Sequence, residues 1–179
     1  VFESDENKNP SDWSPDGRYL LFATQSPQSG FDLMALPLFG ERKPIVVARS
    51  PQAEVDGRIS PDGRWVAYVS TETGSPEVYV QPFPPPGART QVSIGGGSRP
   101  RWRRDSGELF YAALDNRLMV VPITTNGKAI EAGTPPPLFT LPGDLGYEPS
   151  RDGQRFLTSA NVSGASPITV ILNWKPPVR

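Results

Sequence analysis

Residues 57 to 83 read GRISPDGRWVAYVSTETGSPEVYVQPF. A tight turn is followed by an apolar strand, a polar turn and a second apolar strand. In the turn Ser60-Pro61-Asp62-Gly63, proline presets φ at the second position and aspartate tolerates the sparsely allowed region beside it. Glycine then accepts the left-handed conformation that reverses the chain. The same grammar recurs as WSPDGRYLLFA at residues 13–23, WRRDSGELFYA at 102–112 and PSRDGQRFLTS at 149–159. The turn aspartates Asp16, Asp62, Asp105 and Asp152 stand 46, 43 and 47 residues apart. A period in the forties with several short strands per unit predicts an array of propeller blades.

The predicted fold is all-β, a β-propeller of about four blades, each a four-stranded antiparallel sheet, belonging to a larger propeller. Runs such as Tyr19-Leu20-Leu21-Phe22-Ala23 are continuously apolar instead of alternating. That suits strands covered on both faces, as a blade between two neighbours would be. The blades are expected at residues 11–50, 57–94, 99–141 and 147–174, the last without its outermost strand. Residues 1–10 would hold a strand of a preceding blade, at 1–4, and a linker. A start at Val1 predicts a piece of a longer chain. An open array would expose the apolar flanks of its end blades, so missing blades or self-association are expected.

Gly17, Gly63 and Gly153 close three of the four turns, but the third has Ser106 at that place and Gly107 one position later. Either the turn slips by one residue, or Ser106 adopts positive φ at a cost on the order of 1 kcal/mol. In the second case Ser106→Gly should raise the melting temperature.

Composition excludes several functions. The 179 residues carry 18 Lys and Arg against 19 Asp and Glu, a net charge of −1, with neither Cys nor His. Near-neutrality leaves no electrostatic footprint for nucleic acid or an anionic membrane. Without histidine or cysteine, neither a Ser-His-Asp triad nor a Cys-His pair can be assembled from this chain alone. No apolar run approaches the ~20 residues of a membrane helix, so no direct membrane insertion is expected. The 22 prolines and 17 glycines cluster in SPDG, PPPG, GGGSRP and TPPP, between apolar strands, and read as turns.

The four in-phase turns, each followed by an apolar strand, resemble the TolB-type, WD-like β-propeller repeat of bacteria. A finer likeness lies in SPDGRWVAYVSTETGSPEVYVQPFP, GGGSRPRWRRDSGELFYAALDNRLMVVPI, EAGTPPPLF and DGQRFL followed by PITVILNW. These are similar to the propellers found C-terminal to bacterial serine/threonine protein kinase domains. The match spans residues 10–174 and would put Trp174 near a natural C-terminus. The resemblance implies an extracytoplasmic, non-catalytic module that senses or docks a protein or peptide, with any enzyme elsewhere. It also allows an accessory propeller of a prolyl-oligopeptidase-like hydrolase. No kinase motif is present here: HRD and DFG are absent, and Gly95-Gly96-Gly97 lacks the spacing of a phosphate-binding loop.

Each turn aspartate has the same place in its own blade, so the four lie on a ring and cannot converge as a metal or acid/base set. Asp16, Gly17, Asp62, Gly63, Asp105, Asp152 and Gly153 are therefore expected as structural turn residues. The better candidate site is the mouth of the central channel, where each innermost strand begins. It would collect Glu54, Asp56 and Arg58, Arg99 and Arg101, and Tyr147 and Glu148, facing a protein or peptide ligand. The plainer alternative is that these groups pair with one another in solvent. Arg101-Trp102-Arg103-Arg104 resembles a basic-aromatic nucleic-acid element, but Trp102 shares the phase of Trp13 and is expected to pack between blades. Glu72 and Glu77 flank a turn without the 6–8 oxygens of a calcium cage. Asn161-Val162-Ser163 matches a glycosylation sequon, idle in a bacterial protein. No motif implies a cofactor.

Overall fold

A computed structural model describes residues 6–26, 30–126, 129–143, 146–159 and 169–171. Among these the chain is all-β, with four antiparallel sheets and no helix. The first sheet runs β1 (Lys8–Trp13), β2 (Tyr19–Ser26), β3 (Gly30–Pro37), β4 (Ile45–Ala48) in that spatial order. The second repeats it with β5 (Glu54–Ile59), β6 (Trp65–Ser70), β7 (Glu77–Pro82) and β8 (Thr90–Gln91). The third contains β9 (Ser98–Trp102), β10 (Glu108–Ala112), β11 (Arg117–Asn126) and β13 (Pro137–Thr140). A further strand, β12 (Ala129–Ala132), pairs with the far end of β11 and was not expected from the repeat. The fourth sheet comprises β14 (Tyr147–Pro149), β15 (Phe156–Thr158) and β16 (Thr169–Ile171). The strand expected at 1–4, the sequon at 161–163 and Trp174 lie outside the described residues.

The continuous apolar runs do cover two faces at once. On β6, Trp65, Ala67 and Val69 pack with Trp102, Leu109, Tyr111 and Val121 of the third sheet. The intervening Val66 and Tyr68 pack with Leu21, Leu33 and Val47 of the first. On β10 the division repeats: Leu109 and Tyr111 face the second sheet, while Phe110 and Ala112 face Phe156 and Tyr147 of the fourth. Successive side chains on a strand point to opposite faces, so one strand supplies half of two cores. The innermost strands touch in chain order, β1 to β5, β5 to β9 and β9 to β14. The result is a row of sheets about a common axis, the propeller arrangement.

The four turns are closed by the groups the sequence repeats. Ser14 Oγ and Arg18 N–H donate to Asp16 Oδ1 at 2.6 and 3.0 Å. Ser150 Oγ and Gln154 N–H do the same to Asp152 at 2.6 and 3.0 Å. The glycines that follow, Gly17, Gly63 and Gly153, have φ of 70°, 74° and 70°. In the third turn the serine partner is replaced by Arg103, whose guanidinium grips Asp105 at 2.7 and 2.6 Å. Its hydrogen bonds hold the Asp105 carboxyl down at about 2.

Ser106 has φ of 62°, so the turn keeps its register and accepts the left-handed residue. Its hydroxyl also accepts the Asp62 N–H of the preceding sheet at 3.2 Å. Relief of strain by Ser106→Gly, about 1–2 kcal/mol, is therefore offset by a lost hydrogen bond of about 1 kcal/mol and by glycine's entropy, about 0.5–1 kcal/mol. The expected change in melting temperature is under about 2 °C. A rise above about 4 °C in a thermal melt would show uncompensated strain instead.

Candidate functional site

The innermost strands form the wall nearest the axis, and each of the first three carries a register break. On β5 the pairing with β6 jumps between Val55 and Arg58, leaving Asp56 and Gly57 out of the ladder. On β9 the pairing with β10 passes from Arg101 to Ser98, leaving Arg99 and Pro100 outside it. Asp56 and Arg99 have matching left-handed φ of 53° and 55°. Such a conformation costs a non-glycine residue roughly 1–2 kcal/mol, and in two sheets it falls at the same step of the repeat. β1 breaks between Pro10 and Asp12. Gly57 is needed beneath the break, because a Cβ there would lie 2.8 Å from Leu33 Cδ1.

The break aims Asp56 at two arginines. Its Oδ1 lies 3.3 Å from Arg58 Nη2 and 3.6 Å from Arg101 Nη1 of the next sheet. Arg101 Nε in turn donates to Glu148 Oε2 of the fourth sheet at 3.2 Å. Asp56, Arg58, Arg101 and Glu148 thus form one ion-pair chain across three sheets. Asp56 and both arginines are largely buried, whereas Glu148 opens to solvent. Screening is weaker for such partly buried pairs than for surface ones.

The other expected channel residues serve different ends. Glu54 is fully buried at the far end of β5. It accepts Ser50 N–H and Oγ–H at 2.9 and 2.6 Å and Ser70 Oγ–H at 3.0 Å, tying the first-to-second connection to β6. Tyr147 is buried in the core between the third and fourth sheets. Burial pushes its phenol well above the usual range, and its hydroxyl donates to the Arg99 carbonyl at 2.8 Å. Arg99 therefore contributes its backbone as the acceptor of that strap. Glu72 pairs with Arg89 at 2.5 Å. Buried Glu77 accepts Gly96 N–H at 2.9 Å and the Ser93 hydroxyl. Among the described residues no cluster of acidic side chains is gathered for a metal.

One member of the wall was not singled out from the sequence. Asp12 stands four residues before its turn aspartate, as Arg58, Arg101 and Glu148 do before theirs. Its Oδ2 accepts the Ile59 N–H of the second sheet at 2.7 Å. Trp102, from the third sheet, sends its indole N–H to the Arg58 carbonyl at 3.0 Å. Counting back from each turn would have found Asp12. Asp12 and Glu148 both border a concavity of about 840 Å³ at the turn end of the axis, with Trp13, Trp102, Arg104 and Arg151. The concavity is thus bordered by charges of both signs and by the exposed indole of Trp13, whereas Trp102 is buried at its edge.

No family model matches the chain, and no curated protein matches it in sequence. Solved structures do match. TolB from Acinetobacter baumannii superposes with a TM-score of 0.69 at 18% identity, over 97% of this chain and 42% of that one. The tricorn protease superposes at 0.63 and 18% identity, over 88% of this chain and 19% of that one. A puromycin-hydrolysing peptidase of Mycobacterium tuberculosis gives 0.57 and 20% identity, over 86% and 28%. This chain spans less than half the length of each of these three. At such identities the likeness is one of fold: the chain has the TolB-like β-propeller fold.

Proposed function

We propose that this chain is a non-catalytic docking or sensing propeller whose channel wall holds a protein or peptide segment. The observation that carries this is the convergence of Asp56, Arg58, Arg101 and Glu148 from three consecutive sheets, beside backbone held left-handed at Asp56 and Arg99. Backbone strain repeated at one step of a repeat is expected where side chains must be aimed. Charged groups of both signs around a concavity suit a polypeptide, which offers amides, carboxylates and cationic side chains at once. The phrases resembling kinase-linked propellers favour a place as the C-terminal part of a larger receptor-like serine/threonine kinase or TolB-like protein. That context would be extracytoplasmic, and the similar folds include TolB and a periplasmic gluconolactonase of Pseudomonas aeruginosa.

A second reading is an accessory propeller of a prolyl-oligopeptidase-like hydrolase, favoured by the tricorn protease and the peptidase among the similar folds. With no histidine in the chain, a histidine-based triad would have to come from a separate domain.

A peptide selected from a display library on the purified chain provides the test. Arg58→Ala and Arg101→Ala, made singly so that Asp56 keeps one arginine, should each weaken the selected peptide at least about tenfold. Circular dichroism should show both variants folded. Undiminished binding removes the channel wall as the site, and turnover of peptide, ester or glycoside substrates by the chain alone ends the non-catalytic reading.

A further inference from the structure

Pro15, Pro61, Arg104 and Arg151 hold one step of the repeat, each directly before its turn aspartate. All four border the concavity of about 840 Å³ at the turn end of the axis. The four turns close alike: the N–H of Gly17, Gly63, Ser106 and Gly153 donates to the carbonyl three residues back, at 2.8 to 2.9 Å. Proline suits the second position of such a turn, because its ring presets φ. The third and fourth turns forgo that advantage and set a guanidinium there. Closing the turn therefore asks for neither arginine.

The acids nearby are already engaged. Asp105 is gripped by Arg103 at 2.7 and 2.6 Å, and Asp152 accepts the Ser150 hydroxyl and the Gln154 N–H. Asp12 accepts the Ile59 N–H, and Glu148 the Nε–H of Arg101. Arg104 and Arg151 are exposed, and among the described residues neither guanidinium has an ion-pair partner. At this step the concavity thus offers a ligand two unpaired cations and two prolyl rings. A guanidinium matches a carboxylate through two parallel N–H donors. A nucleic-acid strand, charged at every phosphate, would meet Asp12 and Glu148 as well. A polypeptide spaces its carboxylates and can lay apolar atoms on the prolines between them.

We propose that the polypeptide held here is acidic: Arg104 and Arg151 receive its carboxylates, and Pro15 and Pro61 its apolar atoms. The inference rests on the docking reading above and adds the chemistry of the partner.

Fluorescence anisotropy on the whole chain tests it, with a labelled peptide of alternating Glu and Pro beside its Gln-for-Glu counterpart. The acidic peptide should bind at least about tenfold tighter than the neutral one, by a margin that shrinks as salt is raised. Arg104→Gln and Arg151→Gln should each weaken it about threefold, and the double variant about tenfold. Arg151→Pro installs what the first two turns carry at that step. It should lose the same affinity while the melting temperature holds or rises. Equal binding of the two peptides, indifference to the double variant, or preference for a single-stranded oligonucleotide overturns the acidic partner. A display-selected peptide that needs Arg58 and Arg101, yet is neutral and indifferent to Arg104 and Arg151, also overturns it and leaves the docking reading standing. Failure to bind any peptide ends both.

Discussion

Phe156→Ala is expected to cost about 3–5 kcal/mol and to release the fourth sheet before the rest of the chain unfolds. The ring is fully buried. Phe110 meets it edge-on at 5.1 Å, Phe139 at 5.4 Å, and Tyr147 lies tilted at 6.3 Å. Truncation removes the one large side chain that β15 contributes to the core shared with the third sheet, and the cavity left adds to the lost transfer energy. Stability in a repeat array is set by each unit and its nearest neighbours. The loss should therefore be local. Hydrogen exchange should show amides of β14 and β15 losing protection while those of β6 and β7 keep theirs, and urea unfolding should split into two steps. A single transition shifted by less than about 1 kcal/mol would show that the fourth sheet is not held by this ring.

Glu54→Ala is expected to cost about 3 kcal/mol, since a removed buried carboxylate strands the donors it served. Those donors are the Ser50 N–H, the Ser50 hydroxyl and the fully buried Ser70 hydroxyl. They join the connection leaving the first sheet to the second strand of the next, so the variant should loosen the first-to-second junction. Glu54→Gln keeps one acceptor oxygen and should recover part of the loss. Glu148→Ala, which removes a solvent-exposed acid from an ion pair, should cost under about 1 kcal/mol. Urea titrations of the three variants give the comparison. Equal losses for Glu54→Ala and Glu148→Ala would mean that Glu54 is not the peg its hydrogen bonds describe.

The pair Glu54 and Asp56 shows how far the sequence could be followed. Both are acids at the start of an innermost strand, and both were expected at the channel. The register break after Val55 separates them: Asp56 turns to Arg58 and Arg101, while Glu54 is enclosed by serines. A bulge of this kind leaves no periodic trace, and the fit it needs, Gly57 close against Leu33, involves a residue of another sheet. The extra hairpin of β11 and β12 was missed for a similar reason, being an excursion outside the repeat.

By itself the sequence determined the repeat, the four turns and the two-faced strands. These are local matters: four residues close a turn, and an unbroken apolar run demands cover on both sides. It also determined that this chain has no histidine or cysteine for nucleophilic chemistry of its own. Only the tertiary structure decided which charges meet across neighbouring sheets, and why Trp102 is buried while Trp13, at the same step, is not. Partners there lie more than forty residues apart. A repeat specifies that such residues recur, and the sheet packed beside each of them decides what it touches.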